Sequence, residues 1–449
     1  MFEVPILPLV EVNQAYLRGQ IFPLECVFTK PQDDILVASP RIAYSHNADN
    51  IVTNYLIFDC TGQDFVKNLT NPYKDYKHLN ENFIMSSSSI GQRYVFTSFG
   101  ESHGKCIGSV IDGCPAGLEL EEKDIQKMLD LRKPGQSIIT TQRKEEDKVE
   151  IISGVFRGYT TGAPITTVIW NQDQRSHDYE NLTLRPRPGH SDYPAHVKYD
   201  GFNDYRGGGR FSGRLTATFV MAGAIAKKLL SQTIRVDTYS YTCQVGKIKM
   251  NSHDIQKTTN SIYSNEVRCP DTKMAEKMRA VILAAKRSGD SVGGVIESVT
   301  TNLPVGLGEP IFGSLESDLS KALFSIPAVK GVEFGSGFYG STLHGSQNND
   351  EFITKNGKIV TRTNNAGGIL GGLSTGMPLV LRVAFKPASS IAKKQHTVDI
   401  KTKKPVSLIV QGRHDPCVVP RAPPVVDSLV SIVLVDHALR AGFIPPVIR

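Results

Sequence analysis

Residues 204–229 read DYRGGGRFSGRLTATFVMAGAIAKKL, and they join a glycine-rich loop directly to a candidate helix. The residues that a helical period places on one face are apolar: Leu215, Phe219, Ala222, Ile225 and Leu229. Small residues occupy much of the other faces, so the pattern predicts a helix that is buried on most sides. Residues 206–212 form the loop that feeds this helix.

Away from this helix, β-branched runs alternate with a few amphipathic segments. Ile125, Met128 and Leu129 predict a helix that Pro134 ends, which leaves Arg132 at the C-terminal end of that helix. Further elements are predicted as helices around residues 274–285 and 429–437 and as strands at 149–156, 165–170, 294–300 and 379–385. This order predicts an α+β fold rather than regular βαβ repeats.

The bulk composition limits the class of protein. With 449 residues the chain can build a large core, and its mean hydropathy of −0.19 is ordinary for a globular protein. No run approaches the roughly 20 apolar residues of a membrane span. The N-terminal segment MFEVPILPLVEV has neither a basic leader nor a cleavage site, which favours the cytoplasm. The seven cysteines form no CxxC pair, so neither a disulfide framework nor a metal site is expected.

A compositional break near Met85 separates residues 1–84, whose role the sequence does not reveal, from residues 85–449, which hold every candidate functional segment. The first part is either a small appended domain or an extension upstream of a true start at Met85. It holds 6 basic and 10 acidic residues, which leaves 45 basic and 34 acidic residues, a net charge of +11, for the rest. Because the basic residues do not cluster with aromatic ones, a small anionic substrate is favoured over nucleic acid.

Two short motifs occur without the structural context that each requires. One is typical of serine hydrolases and the other of dinucleotide-binding proteins. The segment GESHG at 100–104 satisfies G-x-S-x-G, with Ser102 as the nucleophile of a serine hydrolase, but the residues that follow do not predict the required helix. Residues 335–340 satisfy G-x-G-x-x-G, and the STLHGSQNND that follows is not predicted to be helical either. Both interpretations are therefore disfavoured.

Glycine-rich segments, most of them with arginine, are the more informative pattern. Each can bring backbone amides or a guanidinium group against phosphate or carboxylate: RPRPGH at 185–190, DYRGGGRFSGR at 204–214, NNAGGILGG at 364–372 and GRHDPC at 412–417. His103, His190 and His414 stand in such turns, where an imidazole can exchange a proton near neutral pH.

Three long blocks resemble the signature blocks of the chorismate synthase family: GQRYVFTSFGESHG at 91–104, RPGHSDYPAHVKYDGFNDYRGGGR at 187–210 and GRHDPCVVPRAPPVVD at 412–427. The resemblance extends from about residue 89 to residue 437. It implies a β-α-β sandwich, with helices packed between antiparallel sheets, assembled as a homotetramer.

The resemblance also implies a reaction, a 1,4-anti elimination of phosphate from 5-enolpyruvylshikimate 3-phosphate, a phosphorylated dicarboxylate. The product is chorismate, at the last common step of the shikimate pathway. The hydrogen that is lost has no activating carbonyl beside it, and in the family reduced FMN lends an electron and recovers it. Whether the enzyme reduces its flavin with NADPH or depends on a separate flavin reductase is left open, and no metal is implied.

The resemblance assigns roles to individual residues. His103 would keep reduced flavin in its required protonation state, His190 would protonate the departing phosphate, and Asp415 would help accept a proton through the flavin N5. The substrate contacts would be Ser102, Arg132, Arg143, Arg187 and Arg413. The cofactor contacts would be Arg210, Phe211, Ser212, Pro327, Ala328, Gly371, Lys386, Pro387, Ala388, Ser389, Ser390 and Arg413.

The chain departs from the commonest family pattern at several of these positions. Ile138 stands where many members have an arginine, and Arg143 is the expected substitute. Phe211, Gly213 and Leu215 replace Ser, Ala and Glu, and Pro327 replaces an asparagine beside the flavin. A non-catalytic protein that binds FMN or an anion on the same scaffold is the alternative, and intact His103, His190 and Asp415 argue against it.

Overall fold

The computed structural model describes residues 87–141, 145–172, 183–250, 259–410, 412 and 414–449, together with three short strands nearer the N-terminus. Two compact units make up the chain, Met1–Ser86 and Ser87–Arg449. The first unit contains an antiparallel sheet in the order β1-β2-β3, formed by β1 (Val27–Phe28), β2 (Ile35–Val37) and β3 (Ile57–Asp59). That residues 1–84 are an appended domain or an upstream extension stays a prediction.

The second unit contains all the candidate functional segments. Its strands are β4 (Ser89–Ile90), β5 (Val95–Gly100), β6 (Cys106–Asp112), β7 (Glu150–Ser153), β8 (Val155–Phe156), β9 (Tyr159–Thr160), β10 (Ile165–Trp170), β11 (Asp237–Val245), β12 (Ile248–Lys249), β13 (Gly294–Thr301), β14 (Val329–Phe334), β15 (Phe352–Lys355), β16 (Lys358–Thr361), β17 (Ile369–Leu370), β18 (Leu373–Ser374), β19 (Leu379–Phe385), β20 (Gln395–Val398) and β21 (Pro405–Leu408). Its α-helices are α1 (Glu122–Arg132), α2 (Asp192–Lys198), α3 (Thr216–Ile234), α4 (Thr272–Arg287), α5 (Leu315–Leu323), α6 (Gly337–Gly340), α7 (Gly345–Asn348) and α8 (Pro423–Arg440).

Two five-stranded sheets form the outer layers of this unit. One has the order β4-β5-β6-β10-β7 and the other β12-β11-β13-β19-β14, and every neighbouring pair in both sheets is antiparallel. The four remaining hairpins, β8-β9, β15-β16, β17-β18 and β20-β21, are also antiparallel pairs. Antiparallel strands commonly bury one face only, which suits sheets that pack on a shared layer of helices.

Helices α3 and α8 form the layer between the sheets. Helix α3 packs against β5 and β6 on one side and against β11 on the other, while α8 packs along α3 and against β11 and β13. Both helices are apolar on most faces, because sheets and neighbouring helices cover them. The fold is therefore the predicted α+β sandwich, with helices packed between antiparallel sheets.

A glycine sets the close approach of the two central helices. An added Cβ on Gly223 in α3 would lie 2.1 Å from Cβ of Ser428 and 2.3 Å from its Cα in α8. A side chain at position 223 would therefore force the helices apart. The small residues that the sequence places on the second face of α3 are the reason that the helices can pack so closely.

A carboxylate in α8 fixes the entry to β5. Oδ1 of Asp436 accepts hydrogen bonds from the backbone N–H groups of Gln92, Arg93 and Tyr94, at 2.7, 2.6 and 3.0 Å. Strand β5 begins at the next residue and leads to the turn that carries Ser102 and His103. The C-terminal helix thus helps to position that turn.

Most predicted elements are confirmed, and two details differ. The predicted strand at 149–156 is divided into β7 and β8 at Gly154, which has φ +85° and whose added Cβ would lie 2.7 Å from Cα of Ile165. Helix α6 completes one turn inside the G-x-G-x-x-G segment, and the residues after the segment contain helix as well, because α7 completes one turn there. The G-x-S-x-G segment is followed by strand β6, so the nucleophile elbow lacks its helix, as expected.

In the portion of the chain that the structure describes, no helix is long and apolar enough to cross a lipid bilayer.

Candidate active site

A run of three glycines brings two predicted catalytic histidines to one loop. Gly207, Gly208 and Gly209 have φ values of +58°, +84° and +51°, which favour glycine strongly. An added Cβ on Gly207 would lie 2.2 Å from both Cε1 and Nδ1 of His103. An added Cβ on Gly208 would lie 3.2 Å from Cε1 and 3.4 Å from Nε2 of His190. The loop backbone therefore packs directly against both imidazoles.

Ser102 and His103 occupy the buried turn between β5 and β6. Their residues are 0% and 3% exposed, and the N–H of Ser102 donates to the carbonyl of Gly209 at 3.3 Å. Among the described residues, Oγ of Ser102 is buried without a hydrogen-bond partner, and an added Cβ on Gly207 would lie 2.8 Å from it. An unsatisfied buried hydroxyl is costly unless a ligand or water completes it. The predicted contact of Ser102 with a bound molecule stays a prediction.

His190 belongs to a compact cluster of charged groups. Its Nδ1 lies 2.5 Å from Oδ1 of Asp192 and 3.1 Å from Nη2 of Arg187. Arg187 holds the same carboxylate, with Nε donating to Oδ2 at 2.7 Å and Nη2 to Oδ1 at 2.8 Å. Arg187, predicted to bind substrate, is thus engaged by a carboxylate of the protein itself.

The pKa of Asp192 lies well below its usual range. Burial alone would raise the pKa, but the hydrogen bonds from Arg187 and His190 outweigh that effect. Asp192 is therefore ionised at neutral pH, and its negative charge stands beside the His190 ring.

The predicted cofactor segment at residues 386–390 borders this cluster. Nζ of Lys386 donates to the carbonyl of Gly189 at 2.9 Å, and Nη1 of Arg187 donates to Oγ of Ser390 at 3.1 Å. An added Cβ on Gly189 would lie 3.6 Å from Cβ of Ser389. Burial and then the charge of Lys330 lower the pKa of Lys386. Residues 386–390 and His190 therefore share one side of the site.

Strand pairing explains why Pro327 and Ala328 join the same segment. Strand β14 begins opposite the end of β19, because Val329 pairs with Phe385. Ala328, which precedes β14, and Lys386, which follows β19, are therefore neighbours. The N–H of Lys386 donates to the carbonyl of Ala328 at 2.9 Å, and Ala328 has φ +74°, a strained value for a residue with a Cβ. Strain of this kind is frequent at ligand sites.

Arg132 lies at the end of α1, as predicted, but its guanidinium group is fully engaged by the protein. It donates from Nη1 to Asp147 at 3.0 Å and from Nη2 to the carbonyl of Gly213 at 2.8 Å, and Nε donates to Thr216 at 3.1 Å. Burial lowers the pKa of Arg132 to about 10. In this structure Arg132 anchors the loop that leads into α3, and its predicted substrate contact remains a prediction.

Asp147 pairs with both this arginine and Arg214, and Glu145 pairs with Arg214 as well. Oδ1 of Asp147 accepts from Nη1 of Arg214 at 2.6 Å. Burial would raise the pKa of Asp147, but Arg132 and Arg214 hold it below its usual value. Nε of Arg214 also donates to Asn171 at 2.9 Å. This buried network fixes the C-terminal end of the glycine-rich loop.

Asp415, the third predicted catalytic residue, is held by two donors. Oδ1 accepts from the N–H of Thr141 at 2.8 Å, and Oδ2 accepts from Nη1 of Arg421 at 2.5 Å. Nε of Arg421 donates to the carbonyl of Arg132 at 3.1 Å, so Asp415 and α1 are joined. A continuous set of contacts thus leads from Asp415 through Arg132 to the loop that borders the histidines.

The opposite side of Asp415 connects to the 386–390 segment. The carbonyl of Pro416 accepts from the N–H of Val292 at 2.9 Å, and the neighbouring Ser291 donates from Oγ to the carbonyl of Ala388 at 2.7 Å. The contacts therefore close a ring that includes Asp415, the 386–390 segment, the His190 cluster and the glycine loop.

Other predicted site residues have different positions. Arg210 turns onto β5, with its Nη2 donating to the carbonyl of Ser98 at 3.0 Å and its Nη1 to that of Gly100 at 3.1 Å. Phe211 is 39% exposed, and Oγ of Ser212 accepts from the N–H of Arg214 at 3.4 Å.

The remaining predicted positions are Gly371, Arg143 and Arg413. Gly371 occupies the tight turn between β17 and β18, and the neighbouring Gly372 packs against Glu309 and Ser314. Arg143 and Arg413 lie outside the described residues.

Comparisons with known proteins match this arrangement to one family. The family profile described as Chorismate synthase matches residues 94–439. The chorismate synthase of Dehalococcoides mccartyi strain BAV1 is 53% identical over 81% of this chain and 100% of its own length. That of Korarchaeum cryptofilum is 50% identical over 80% of this chain and 99% of its own length. A crystal structure of chorismate synthase superposes with a TM-score of 0.62 at 30% identity, over 78% of this chain and 93% of that chain.

The chain belongs to the chorismate synthase family. It is accordingly an enzyme, a carbon–oxygen lyase that acts on a phosphate ester. The matched range begins at Tyr94, inside the second compact unit.

Three residues of this chorismate synthase family member were not predicted from sequence as parts of the site. Asp192 follows His190 by two residues, and this spacing was the available signal. Asp147 pairs with Arg132, 15 residues before it, and Arg421 pairs with Asp415, six residues before it. Neither spacing matches the period of a helix or a strand, so the sequence offered no signal for these pairs. Each of the three contacts a residue that was predicted from sequence to belong to the site.

Proposed function

We propose that the protein eliminates phosphate from 5-enolpyruvylshikimate 3-phosphate in a 1,4-anti reaction, with reduced FMN as cofactor, and so forms chorismate at the last common step of the shikimate pathway. Family membership supports the reaction class. The observation that carries the proposal is the contact of His103 and His190 with adjacent glycines of one loop, since two imidazoles near one ligand can move separate protons.

The residues present fit a flavin mononucleotide and an anionic substrate. The unsatisfied Oγ of Ser102 is a buried donor or acceptor that a ligand can complete. Lys386 and Ser390 lie beside Gly189 and Arg187 and supply cationic and hydroxyl groups for anions. We assign the residues around Ala328 and 386–390 to the cofactor. When bound, the reduced flavin supplies transient electron density that lets phosphate leave without an acidic hydrogen.

The protein's own groups perform the proton transfers. His190 is oriented by Asp192 through Nδ1, which leaves Nε2 to donate a proton to the departing phosphate. His103, in its buried turn, holds the proton required near the cofactor. Asp415, fixed by Thr141 and Arg421, is the carboxylate that helps to accept the hydrogen removed as a proton. Fixed donors and acceptors of this kind cost little reorganisation during reaction.

The proposal also includes the family's setting: a cytoplasmic homotetramer whose partners are small molecules, with neither a membrane nor a nucleic acid among them. Its flavin is reduced either by NADPH on the enzyme itself or by a separate reductase. Arg143 stands as the proposed substitute for the arginine missing at Ile138.

Anaerobic turnover of 5-enolpyruvylshikimate 3-phosphate with chemically reduced FMN tests the proposal. Equal amounts of chorismate and phosphate are expected, with product lost when the flavin is oxidised and greatly reduced in His103→Ala and His190→Ala. A protein that binds FMN without forming chorismate would refute the reaction. A protein that binds no FMN would refute the assigned cofactor.

A further inference from the structure

Asp192 was not among the site residues predicted from sequence, yet its contact with His190 is shorter than that of Arg187, the other charged side chain that contacts the ring. Oδ1 of Asp192 lies 2.5 Å from Nδ1 of His190. We infer that Asp192 is a positioning residue that fixes the tautomer of His190 and stabilises the protonated ring. This inference rests on the proposed function and extends it to a residue that acts through His190.

The hydrogen-bonding chemistry determines which ring nitrogen carries the proton. An ionised carboxylate can only accept, so a separation of 2.5 Å requires a hydrogen on Nδ1 of His190. Nη2 of Arg187 lies 3.1 Å from the same nitrogen, but a guanidinium can only donate, and Nη2 has a better acceptor in Oδ1 of Asp192 at 2.8 Å. Nε2 is therefore the nitrogen left for the substrate, as an acceptor in the neutral ring and a donor in the protonated ring.

The carboxylate itself is held rigidly. Arg187 contacts both of its oxygens through the side chain and adds its backbone N–H to Oδ2 at 3.0 Å. The side chains of Arg187 and Asp192 are 4% and 14% exposed, which reduces screening by water. Arg187 is fixed in turn by Ser390. Asp192 therefore keeps both its charge and its direction when the ligand changes.

Within the described part of the chain, three charged side chains lie at His190 or at its neighbour Gly189: Asp192, Arg187 and Lys386. Asp192 favours the protonated ring, whereas Arg187 and Lys386 oppose it. Asp192 is the sole anion of these three. Its removal therefore leaves two cations beside the imidazole, and the protonated ring should be lost at lower pH.

Asp192→Asn in the FMN-loaded enzyme tests the inference, with kcat, KM and FMN affinity measured across pH. We expect kcat to fall by about 100-fold while FMN affinity stays within about twofold of the wild-type value. The alkaline limb of the kcat profile should move to lower pH, because the acid form of His190 is then lost earlier. An unchanged profile would overturn the inference, and so would loss of FMN binding, which would indicate a structural role instead.

Asp318→Asn is the matched control, because Asp318 also pairs with a histidine, His437, and lies near an arginine, Arg440, in a different part of the unit. It should leave kcat and the pH profile unchanged. If Asp192→Asn does not fold, Asp192→Glu keeps the charge. It should lower kcat without moving the alkaline limb, and a moved limb would contradict the role of the charge.

A measurement that does not need turnover separates this inference from the proposed function. Diethyl pyrocarbonate modifies neutral imidazoles, and peptide mass spectrometry reports its reaction at His190. In the wild-type protein this modification should begin at higher pH than in Asp192→Asn, even if no chorismate is formed. Identical pH dependence in the two proteins would overturn the inference whatever the reaction proves to be.

Discussion

Two clusters in this molecule each contain an aspartate, a histidine and an arginine. They differ in which nitrogen of the imidazole contacts the carboxylate and in how closely the arginine holds that carboxylate. The first, the His190 cluster, consists of Arg187, His190 and Asp192, and the second, the His437 cluster, consists of Asp318, His437 and Arg440. In the first, Asp192 accepts from Nδ1 of the imidazole, and the arginine holds both carboxylate oxygens. In the second, the imidazole contacts Asp318 through Nε2 at 2.9 Å, and the arginine is 3.7 Å from the carboxylate.

The surroundings explain the difference. His437 belongs to α8 and joins it to α5, and its ring is buried among helices. Burial and then Arg440 lower the pKa of His437, so the neutral ring is favoured there. His190 instead lies in a loop, with Nε2 directed towards Gly208. Residue type alone therefore does not distinguish a packing histidine from one proposed to be catalytic. The two differ in which ring nitrogen is left for a ligand.

The largest effect should come from removing each imidazole in turn. His190→Gln is expected to lower kcat by about 10²–10⁴-fold, because the proposed general acid is lost, and to change the melting temperature little. His437→Gln should lower the melting temperature and leave kcat unchanged, because a buried contact between helices is lost. Anaerobic turnover and thermal unfolding of both variants measure this. If His437→Gln lost turnover while remaining folded, the comparison would fail.

A smaller effect should come from crowding Nε2 without removing the ring. In Gly208→Ala the new Cβ would lie 3.4 Å from Nε2 of His190, and we expect kcat to fall by about tenfold, equivalent to about 1.4 kcal/mol. Gly158→Ala is the control, since Gly158 has φ +80° and an added Cβ there would meet no atom within 4 Å. Both variants carry similar backbone strain and should lose similar thermal stability. Equal kcat values in the two would show that the glycine is needed only for its backbone conformation.

The sequence predicts the two clusters to different extents. His190 was predicted from its turn and from the RPGH block, whereas the helix that contains His437 was predicted around residues 429–437 with no role for the histidine. Asp192 is two residues from His190, so their pairing could have been predicted. The partner of His437, Asp318, is separated from it by 119 residues, and only the packing of α5 against α8 brings the two together.

The fold was more predictable than the use of its charged groups. Helical periodicity located α1 and α3 because burial imposes that spacing on apolar residues. It could not show that Arg132 and Arg187 bind carboxylates of the protein, since each guanidinium can equally well bind a substrate anion. That choice depends on tertiary neighbours such as Asp147. Local sequence patterns could therefore not predict the ring of contacts around the site.

The smallest expected effect concerns the pH dependence of stability. The pKa of His437 in the folded protein lies below its unfolded value of about 6.5. Its contribution to stability is therefore complete above about pH 6.5 and decreases as the pH falls below that value, because the unfolded chain takes up the proton first. The pKa of Asp192 is also lowered, but the unfolded value for Asp is about 3.9, so its contribution is lost only at more acidic pH.

Urea midpoints between pH 7.5 and pH 5.5, at one protein concentration, measure this difference. The midpoint of the wild-type protein should fall as the pH is lowered, and His437→Gln should reduce that fall. His396→Gln, at an exposed histidine in β20, controls for the loss of an imidazole as such. If both variants reduced the dependence equally, the buried position of His437 would not be its cause, and the His437 cluster would lose the property that separates it from the His190 cluster.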